Sequence, residues 1–281
     1  MEILKKVCYN KFMCRRKSLK GLIIMAITEN TALLKEWIDS SDNIVFFGGA
    51  GVSTESGIPD FRSVDGIYNM KYKYPPETIL SRTFFCNHIS EFYEFYKDKM
   101  LYLDAKPNKA HLALAELERR GKLKAVITQN IDGLHQAAGS KTVYELHGSV
   151  HRNYCVRCGA MFDAEYIKNS PFIPECAQCG GLIKPDVVLY QESLNQHTVD
   201  CAIEAIENCD VLIIGGTSLS VYPASGLIEY YKGNKLVLIN KSTTQYDDRA
   251  DLLISESIGE TLDRGAVDII GKNLCCIVFS V

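Results

Sequence analysis

Four cysteines constrain this chain more than any other feature. Cys155-Val-Arg-Cys158 and Cys176-Ala-Gln-Cys179 are two C-x2-C pairs separated by seventeen residues. Each pair sets two thiolates on one tight knuckle, and two knuckles close a tetrahedron around one zinc ion. Gly159, Gly180 and Gly181 follow the pairs, where such knuckles need permissive backbone. Four protein ligands leave no open coordination position, so the metal is expected to be structural. Four unrelated core cysteines, or a redox pair made by either C-x-x-C alone, are the competing explanations. The chain holds eleven cysteines in all, an odd count without a secretory signal, which fits a reducing, cytoplasmic setting better than a disulfide framework. Cys86, Cys201 and Cys209 lie on apolar-patterned stretches and are expected to be buried thiols.

A chain of 281 residues supports one large domain, or one domain with a smaller appendage. No apolar run approaches the roughly 20 residues needed to span a bilayer, so no membrane partner is expected. Residues 1–24 carry seven bases and one acid, a balance of +6 against −3 for the whole chain, which leaves −9 on the body. An acidic body argues against a broad nucleic-acid footprint. Residues 1–24 resemble the start of a signal peptide, but Gly21–Ile27 is short and Thr28-Glu29-Asn30 offers no small-residue cleavage site. A disordered basic extension is expected there, with Met25 as a natural beginning. Residues 272–281 form an apolar tail without a prenylation signature.

Leu33, Leu34, Trp37 and Ile38 recur at helical spacing after the capping residues Thr28 and Asn30, which predicts a first helix. Short apolar runs follow at Asn43–Phe47, Ala125–Thr128, Val143–Leu146, Val187–Tyr190, Val211–Ile214, Leu236–Ile239 and Leu252–Ile254. Most are continuous, as strands buried on both faces should be. Helical patterns such as His111–Arg119 and Thr198–Asn208 lie between several of them. Strand-helix alternation with buried strands predicts an α/β fold built on a doubly wound parallel sheet. Residues 25–63, 106–148 and 185–271 are assigned to it. Two insertions do not fit. Residues 64–105 are rich in aromatics and helical from Ile89 to Leu101, and residues 149–184 carry the cysteine quartet; together they are expected to form a smaller domain.

The first strand ends in Gly48-Gly49-Ala50-Gly51-Val52-Ser53-Thr54. Glycines at a strand-to-helix turn let backbone amides approach a pyrophosphate. Thr54 stands where a dehydrogenase fingerprint has its third glycine, which disfavours a hydride-transfer enzyme. Glu55-Ser56-Gly57-Ile58-Pro59-Asp60-Phe61-Arg62-Ser63 cannot continue a helix and predicts a mobile loop over a ligand, with Phe61 to stack and Arg62 to hold phosphate or carbonyl. Gln129, Asn130, Ile131 and Asp132 follow the second strand, where open α/β sheets bind ligands; an Asp-Gly turn is the plain alternative. His147 beside Gly148 follows the third and is a candidate general base. His88, His111, His135, His151 and His197 are expected to be structural or solvated. Gly216-Thr217-Ser218 and Asn240-Lys241 end two later strands, where they suit ribose hydroxyls or ordinary turns.

In this order the stretches resemble the sirtuins, the NAD-dependent protein lysine deacylases, and most of all their bacterial members. The resemblance spans roughly residues 28–270. It rests on G-A-G-x-S-T-x-S-G-I-P-D-F-R-S at 49–63, T-Q-N-I-D-G-L-H at 128–135, His147-Gly148, the cysteine quartet, K-P-D-V-V-L at 184–189, G-T-S-L at 216–219 and Asn240. It implies a Rossmann-like domain with a small domain made of a helical insert and a zinc ribbon. It also implies NAD as co-substrate, with its pyrophosphate on Gly49–Thr54, its nicotinamide ribose near Asn130 and His147, and its carboxamide held by Ile131 and Asp132. The acetyl oxygen of an acyl-lysine would attack the ribose carbon and expel nicotinamide. His147 would deprotonate a ribose hydroxyl that attacks the resulting imidate, giving lysine and O-acetyl-ADP-ribose. A neutral histidine with a pKa near 6.5 suits that work. The substrate of a sirtuin lies extended between the domains, here against Val188, Leu189, Tyr190, Gln191 and Glu192 on one side and Val221–Ala224, including Tyr222, on the other. A monomer acting on acyl-lysine proteins is expected.

Two departures matter. Tyr190-Gln191-Glu192 stands where many members have Phe-Gly-Glu, which puts peptide preference in question. Members preferring acidic acyl groups carry Tyr-x-x-Arg, and the best counterpart here is Tyr96-Lys97-Asp98-Lys99. Lysine lacks the bidentate fork, so neutral acyl groups are favoured. An ADP-ribosyltransferase using the same NAD site, and a zinc-ribbon module that senses NAD without turnover, are the alternatives.

Overall fold

The computed structural model describes residues 29–62, 66–67 and 72–266. The expectations for the basic extension, Thr28, Ser63 and the apolar tail lie outside the described residues.

Helix α1 (residues 29–40) opens the described chain. Asn30, expected as its cap, lies inside it and donates to the Leu253 carbonyl at 3.2 Å. Six strands then build one parallel sheet: β1 (Ile44–Gly48), β2 (Leu123–Thr128), β3 (Val143–Glu145), β7 (Val211–Gly215), β8 (Leu236–Ile239) and β9 (Leu252–Ile254). Their spatial order is β3-β2-β1-β7-β8-β9. The chain winds one way from β1 and the other way from β7, so the order reverses between those two strands. In a doubly wound sheet that reversal opens a crevice at the strands' carboxyl ends.

Alternation along β1 shows why both faces are covered. Ile44 and Phe46 enter one apolar cluster with Leu34, Leu114, Ile258 and Leu262, under α1, α5 (Lys109–Arg119) and α9 (Ile258–Ala266). Val45 and Phe47 enter another with Ala202 and Ile206 of α8 (Gln196–Asn208). All four β1 side chains are 0% exposed. Burial of each stabilises the fold by about 1.5–3 kcal/mol.

The small lobe has a different core. Helices α2 (Pro76–Ile79), α3 (Arg82–Asn87) and α4 (Ile89–Lys99) pack Phe84, Phe85, Phe92, Tyr93 and Tyr96 edge to face and stacked. The same cluster reaches Val150, Cys155, Cys176 and Ile183. A three-stranded antiparallel sheet, ordered β5-β4-β6, completes the lobe: β4 (Gly148–Cys155), β5 (Met161–Phe162) and β6 (Ile183–Val187). Helix α6 (Leu134–Ala138) follows β2, and α7 (Ala164–Asn169) covers β4.

The apolar run Val187–Tyr190 is therefore not a strand of the parallel sheet. Val187 ends β6, and the chain beyond it makes only an isolated parallel bridge, Ser81 to Tyr190. Val187 and Leu189 are buried in the small-lobe cluster, while Val188 is half-buried and Tyr190 exposed; a continuous apolar run does not by itself distinguish this from burial inside a sheet. The cysteine expectation also fails in part: Cys209 is buried, but Cys86 is exposed and Cys201 half-buried. On α3 the inward positions belong to Phe84 and Phe85, which turns Cys86 outward. Among the described residues no helix is long and apolar enough to cross a membrane.

Candidate functional site

The loops after β1 and β7 meet at the sheet's reversal. Gly51 donates its N–H to the Gly216 carbonyl at 2.8 Å, and Gly49 to that of Gly215 at 3.3 Å. A Cβ on Gly51 would sit 2.8 Å from the Gly216 Cα, and one on Gly49 2.8 Å from the Thr217 Cβ. These glycines thus let the two loops cross in contact, a steric demand that the sequence reading assigned to a bound phosphate. Two single 3-10 turns follow, Ala50–Val52 and Thr54–Ser56, in place of a long helix. The Thr54 hydroxyl, where a third glycine was missing, donates to the Gly51 carbonyl at 3.0 Å and closes the first turn.

A cavity of 590 Å³ opens above this crossing and runs between the two lobes. The described non-cysteine site residues expected from the sequence line it, except Val52 and Ala224. From the first loop come Gly49, Ala50, Gly51, Thr54, Asp60, Phe61 and Arg62; from the segments after β2 and β3 come Gln129, Asn130, Ile131, Asp132 and His147. Gly216, Thr217, Ser218, Asn240 and Lys241 complete the large-lobe wall, while Val188–Glu192 and Val221–Tyr222 face each other at the rim. Phe61 also packs against the small-lobe cluster, and the Asp60 carboxylate accepts from the Arg62 N–H at 3.0 Å.

Hydrogen bonds fix this wall. Ser53 Oγ donates to Asp132 Oδ2 at 2.6 Å and accepts from Asn130 Nδ2 at 3.0 Å. Asp132 Oδ1 accepts from the Leu134 N–H at 2.9 Å. Gln129 Nε2 donates to Thr217 Oγ1 at 3.0 Å, and Asn240 Nδ2 to the Thr217 carbonyl at 2.8 Å. Ser53 lay in the expected phosphate stretch, but its bonds to Asp132 and Asn130 escaped the sequence reading, and so did Asn108. Asn108 caps α5 by accepting from the Ala110 N–H at 2.9 Å, while its Nδ2 donates to the Val52 carbonyl at 2.7 Å and Ser56 Oγ at 3.0 Å. An Asn just before a helical pattern was the signal for it.

His147 sits where the chain passes from β3 to β4. Gly148 has φ +77°, and a Cβ there would meet the Asp186 carbonyl oxygen at 1.9 Å, so only glycine follows the histidine. His147 Nδ1 lies 3.0 Å from the Gln129 carbonyl oxygen. A carbonyl only accepts, so Nδ1 carries the proton and Nε2 is the basic nitrogen. Burial pushes the imidazole below its ordinary pKa, while the bond to Gln129 pulls the other way. The ring is neutral at pH 7. His111 and His135 are buried with ring centroids 4.7 Å apart beneath this wall, and burial lowers them to about 4 and about 3. They do not line the cavity, whereas exposed His151 does, with Nε2 3.0 Å from the Asp132 carbonyl.

The four cysteine sulfurs lie within 4.8 Å of one another, Cys155 to Cys179 at 3.5 Å and Cys158 to Cys176 at 3.6 Å. Tetrahedral zinc with Zn–S near 2.3 Å places sulfurs roughly 3.8 Å apart, so the set fits zinc. A Cβ on Gly181 would stand 2.9 Å from Cys155 Sγ, which explains the glycine. None of the four lines the cavity. The proposed counterpart of an acidic-acyl pair is not assembled: Lys99 lines the cavity, but Tyr96 is 0% exposed in the aromatic core.

Residues 49–223 match the model of the Sir2 family. The chain belongs to the Sir2 family. An NAD-dependent protein deacetylase of Clostridium acetobutylicum is 60% identical over 242 residues, covering 85% of this chain and 99% of that relative. One of Cutibacterium acnes is 51% identical, covering 82% and 94%. A solved structure described for the mechanism and regulation of Sir2 enzymes superposes with TM-score 0.77 at 42% identity, over 85% of this chain and 96% of that one. A solved complex of Sir2 with a p53 peptide and NAD+ gives TM-score 0.72 at 42% identity, over 82% and 94%. The sirtuin fold, a Rossmann-like sheet with a small lobe and a four-cysteine cluster, is thus present in full.

Proposed function

We propose that this protein is an NAD-dependent protein deacetylase that removes acetyl groups from lysine side chains. NAD supplies the electrophilic ribose carbon and takes up the acyl group as nicotinamide leaves. The observation that carries the reading is the neutral His147, held as a base at Nε2 on the wall of a cavity shared by both lobes. The donor set suits NAD: a crossing of two glycine loops at the sheet's reversal, two cationic side chains in Arg62 and Lys241, and the amides of Gln129, Asn130 and Asn240.

His147 takes a proton at Nε2 from a ribose hydroxyl, and the Gln129 carbonyl steadies the imidazolium that forms through Nδ1–H. Asn130 orients the ribose, and Asp132 with Ile131 orients the carboxamide. Phe61 and Arg62 shield and hold the phosphate-bearing half. Acyl-lysine enters at the rim between Val188–Glu192 and Val221–Tyr222. Neutral acyl groups suit it, because Tyr96 is buried away from the cavity and Lys99 is paired with Asp98 at 3.0 Å. Zinc would be held by Cys155, Cys158, Cys176 and Cys179 as a purely structural ion. Free cysteines and a thiolate zinc site suit a reducing, cytoplasmic setting.

Purified protein with NAD and an acetyl-lysine peptide, read by mass spectrometry, tests this. Deacetylated peptide with nicotinamide and O-acetyl-ADP-ribose is the expected result. ADP-ribose attached to protein, or NAD bound without nicotinamide release, would overturn it.

A further inference from the structure

Gln191 has φ +73°, a left-handed backbone conformation that only Leu219 shares among the described non-glycine residues. A side chain disfavours that region, so something must hold it there. Its own carboxamide does: Gln191 Oε1 accepts from the Thr83 N–H at 3.1 Å and from Thr83 Oγ1 at 2.7 Å. Thr83 is the second residue of α3, so the bond ties the cavity rim to the helical insert.

The rest of the rim segment spends its donors internally. Val188 N–H goes to the His147 carbonyl, Leu189 N–H to Glu192 Oε2, Tyr190 N–H to the Leu80 carbonyl and Glu192 N–H to the Leu189 carbonyl, each at 2.9–3.0 Å. Arg82 N–H takes the Tyr190 carbonyl at 3.0 Å. Among the described residues only the Gln191 N–H in this segment has no acceptor. An extended substrate that adds to this edge needs a free main-chain donor, and one is left. Its direction is set by the left-handed backbone, and that backbone is set by the clasp to Thr83.

We infer that the Gln191–Thr83 clasp is a substrate-positioning device, aiming the Gln191 N–H at a main-chain carbonyl of the acyl-lysine peptide. The inference rests on the deacetylase reading. Gln191 touches the peptide through its backbone; Thr83 acts only through Gln191.

Steady-state kinetics on the full chain, with peptide and NAD varied separately, test it. Thr83→Val keeps shape and N–H but removes the hydroxyl donor, and Gln191→Ala removes the acceptor. Each is expected to raise the KM for peptide about five- to tenfold, the equivalent of one hydrogen bond, without moving the KM for NAD. Thr83→Ser restores the hydroxyl and is expected to restore the peptide KM. The double variant should be no worse than Gln191→Ala alone, because both remove one interaction. Unchanged peptide KM in both single variants, or peptide and NAD KM rising together, overturns the clasp. Anisotropy of a fluorescent acetyl-lysine peptide makes the same comparison without turnover. A wild type that binds peptide but releases no nicotinamide therefore defeats the deacetylase reading while the clasp is judged on Kd. A wild type that does neither overturns both.

Discussion

The two lobes bury their strands by unlike means. The large sheet covers β1 on both faces with aliphatic and aromatic side chains, all fully buried, and needs nothing else. In the small lobe β4 lies between a two-residue strand and a strand interrupted by Pro185, over an aromatic cluster that includes two metal-ligating cysteines. A sheet of that size is marginal alone, and thiolate ligation closes it. His147, the proposed base, stands at the junction, positioned by the rigid lobe through Gln129 and followed directly by the first strand of the stapled one.

Removing zinc should separate the lobes most sharply. Structural zinc contributes about 10–16 kcal/mol in small finger peptides, as much as the about 5–15 kcal/mol that holds a whole domain. Chelation, or Cys176→Ser, is expected to strip hydrogen-exchange protection from β4 and β6 while β1 and β7 keep theirs. Simultaneous loss in both sheets would mean that the lobes fold as one unit.

Next comes chemistry without structure. His147→Ala removes the base at Nε2 and should lower deacetylation by about 10²–10⁴-fold. Zinc content and the thermal transition should stay those of the wild type, since no side-chain bond other than that to the Gln129 carbonyl is lost. Retained deacetylation would sink the role given to His147.

The large lobe's own weakness is acid. His111 and His135 are held neutral in the fold at about 4 and about 3, below the about 6.5 of an unfolded histidine. Below pH 6.5 the unfolded chain binds protons that the fold refuses. Their contribution is therefore full above pH 6.5 and is lost progressively as pH falls toward 4, by about a few kcal/mol. Urea unfolding from pH 7 to pH 4 should show that slope, and His135→Phe should flatten it. A slope unaltered in that variant would assign the acid limb to other groups.

The same contrast governs what was legible. The large lobe was readable because continuous apolar runs, turn glycines and polar strand ends each have one cheap explanation in a doubly wound sheet. All six of its strands fall within a residue or two of the predicted runs, and the described NAD-side residues other than Val52 line one cavity. The cysteine quartet was readable from spacing alone. What failed was the seam between lobes. Val187 and Leu189 are buried in the small-lobe cluster while Val188 is half-buried and Tyr190 exposed at the cavity rim, and an apolar run does not say which neighbour buries it. Gln191 read as a steric departure, yet its backbone angle and its bond to Thr83, 108 residues away in sequence, are tertiary facts. The bonds of Ser53 and Asn108 were missed for the same reason: each joins segments that only the fold brings together.

The smallest expected effect dissects one of those joints. Asn108 does two jobs with one amide: its oxygen caps α5, and its nitrogen holds the Val52 carbonyl and Ser56 Oγ of the loop after β1. Asn108→Ala loses both and should cost about 1–2 kcal/mol of stability together with a rise in the KM for NAD. Asn108→Asp splits them. Aspartate caps a helix as well as asparagine does, so stability should recover most of that loss. It has no N–H to offer the Val52 carbonyl, and it sets a carboxylate oxygen against that acceptor. Ser56 can turn its hydroxyl to donate, but Val52 cannot answer. The KM for NAD should therefore stay raised in the Asp variant while the denaturation midpoint returns toward the wild type. If both recover together, the loop is held by the crossing at Gly51 and Gly216 alone, and Asn108 is only a helix cap.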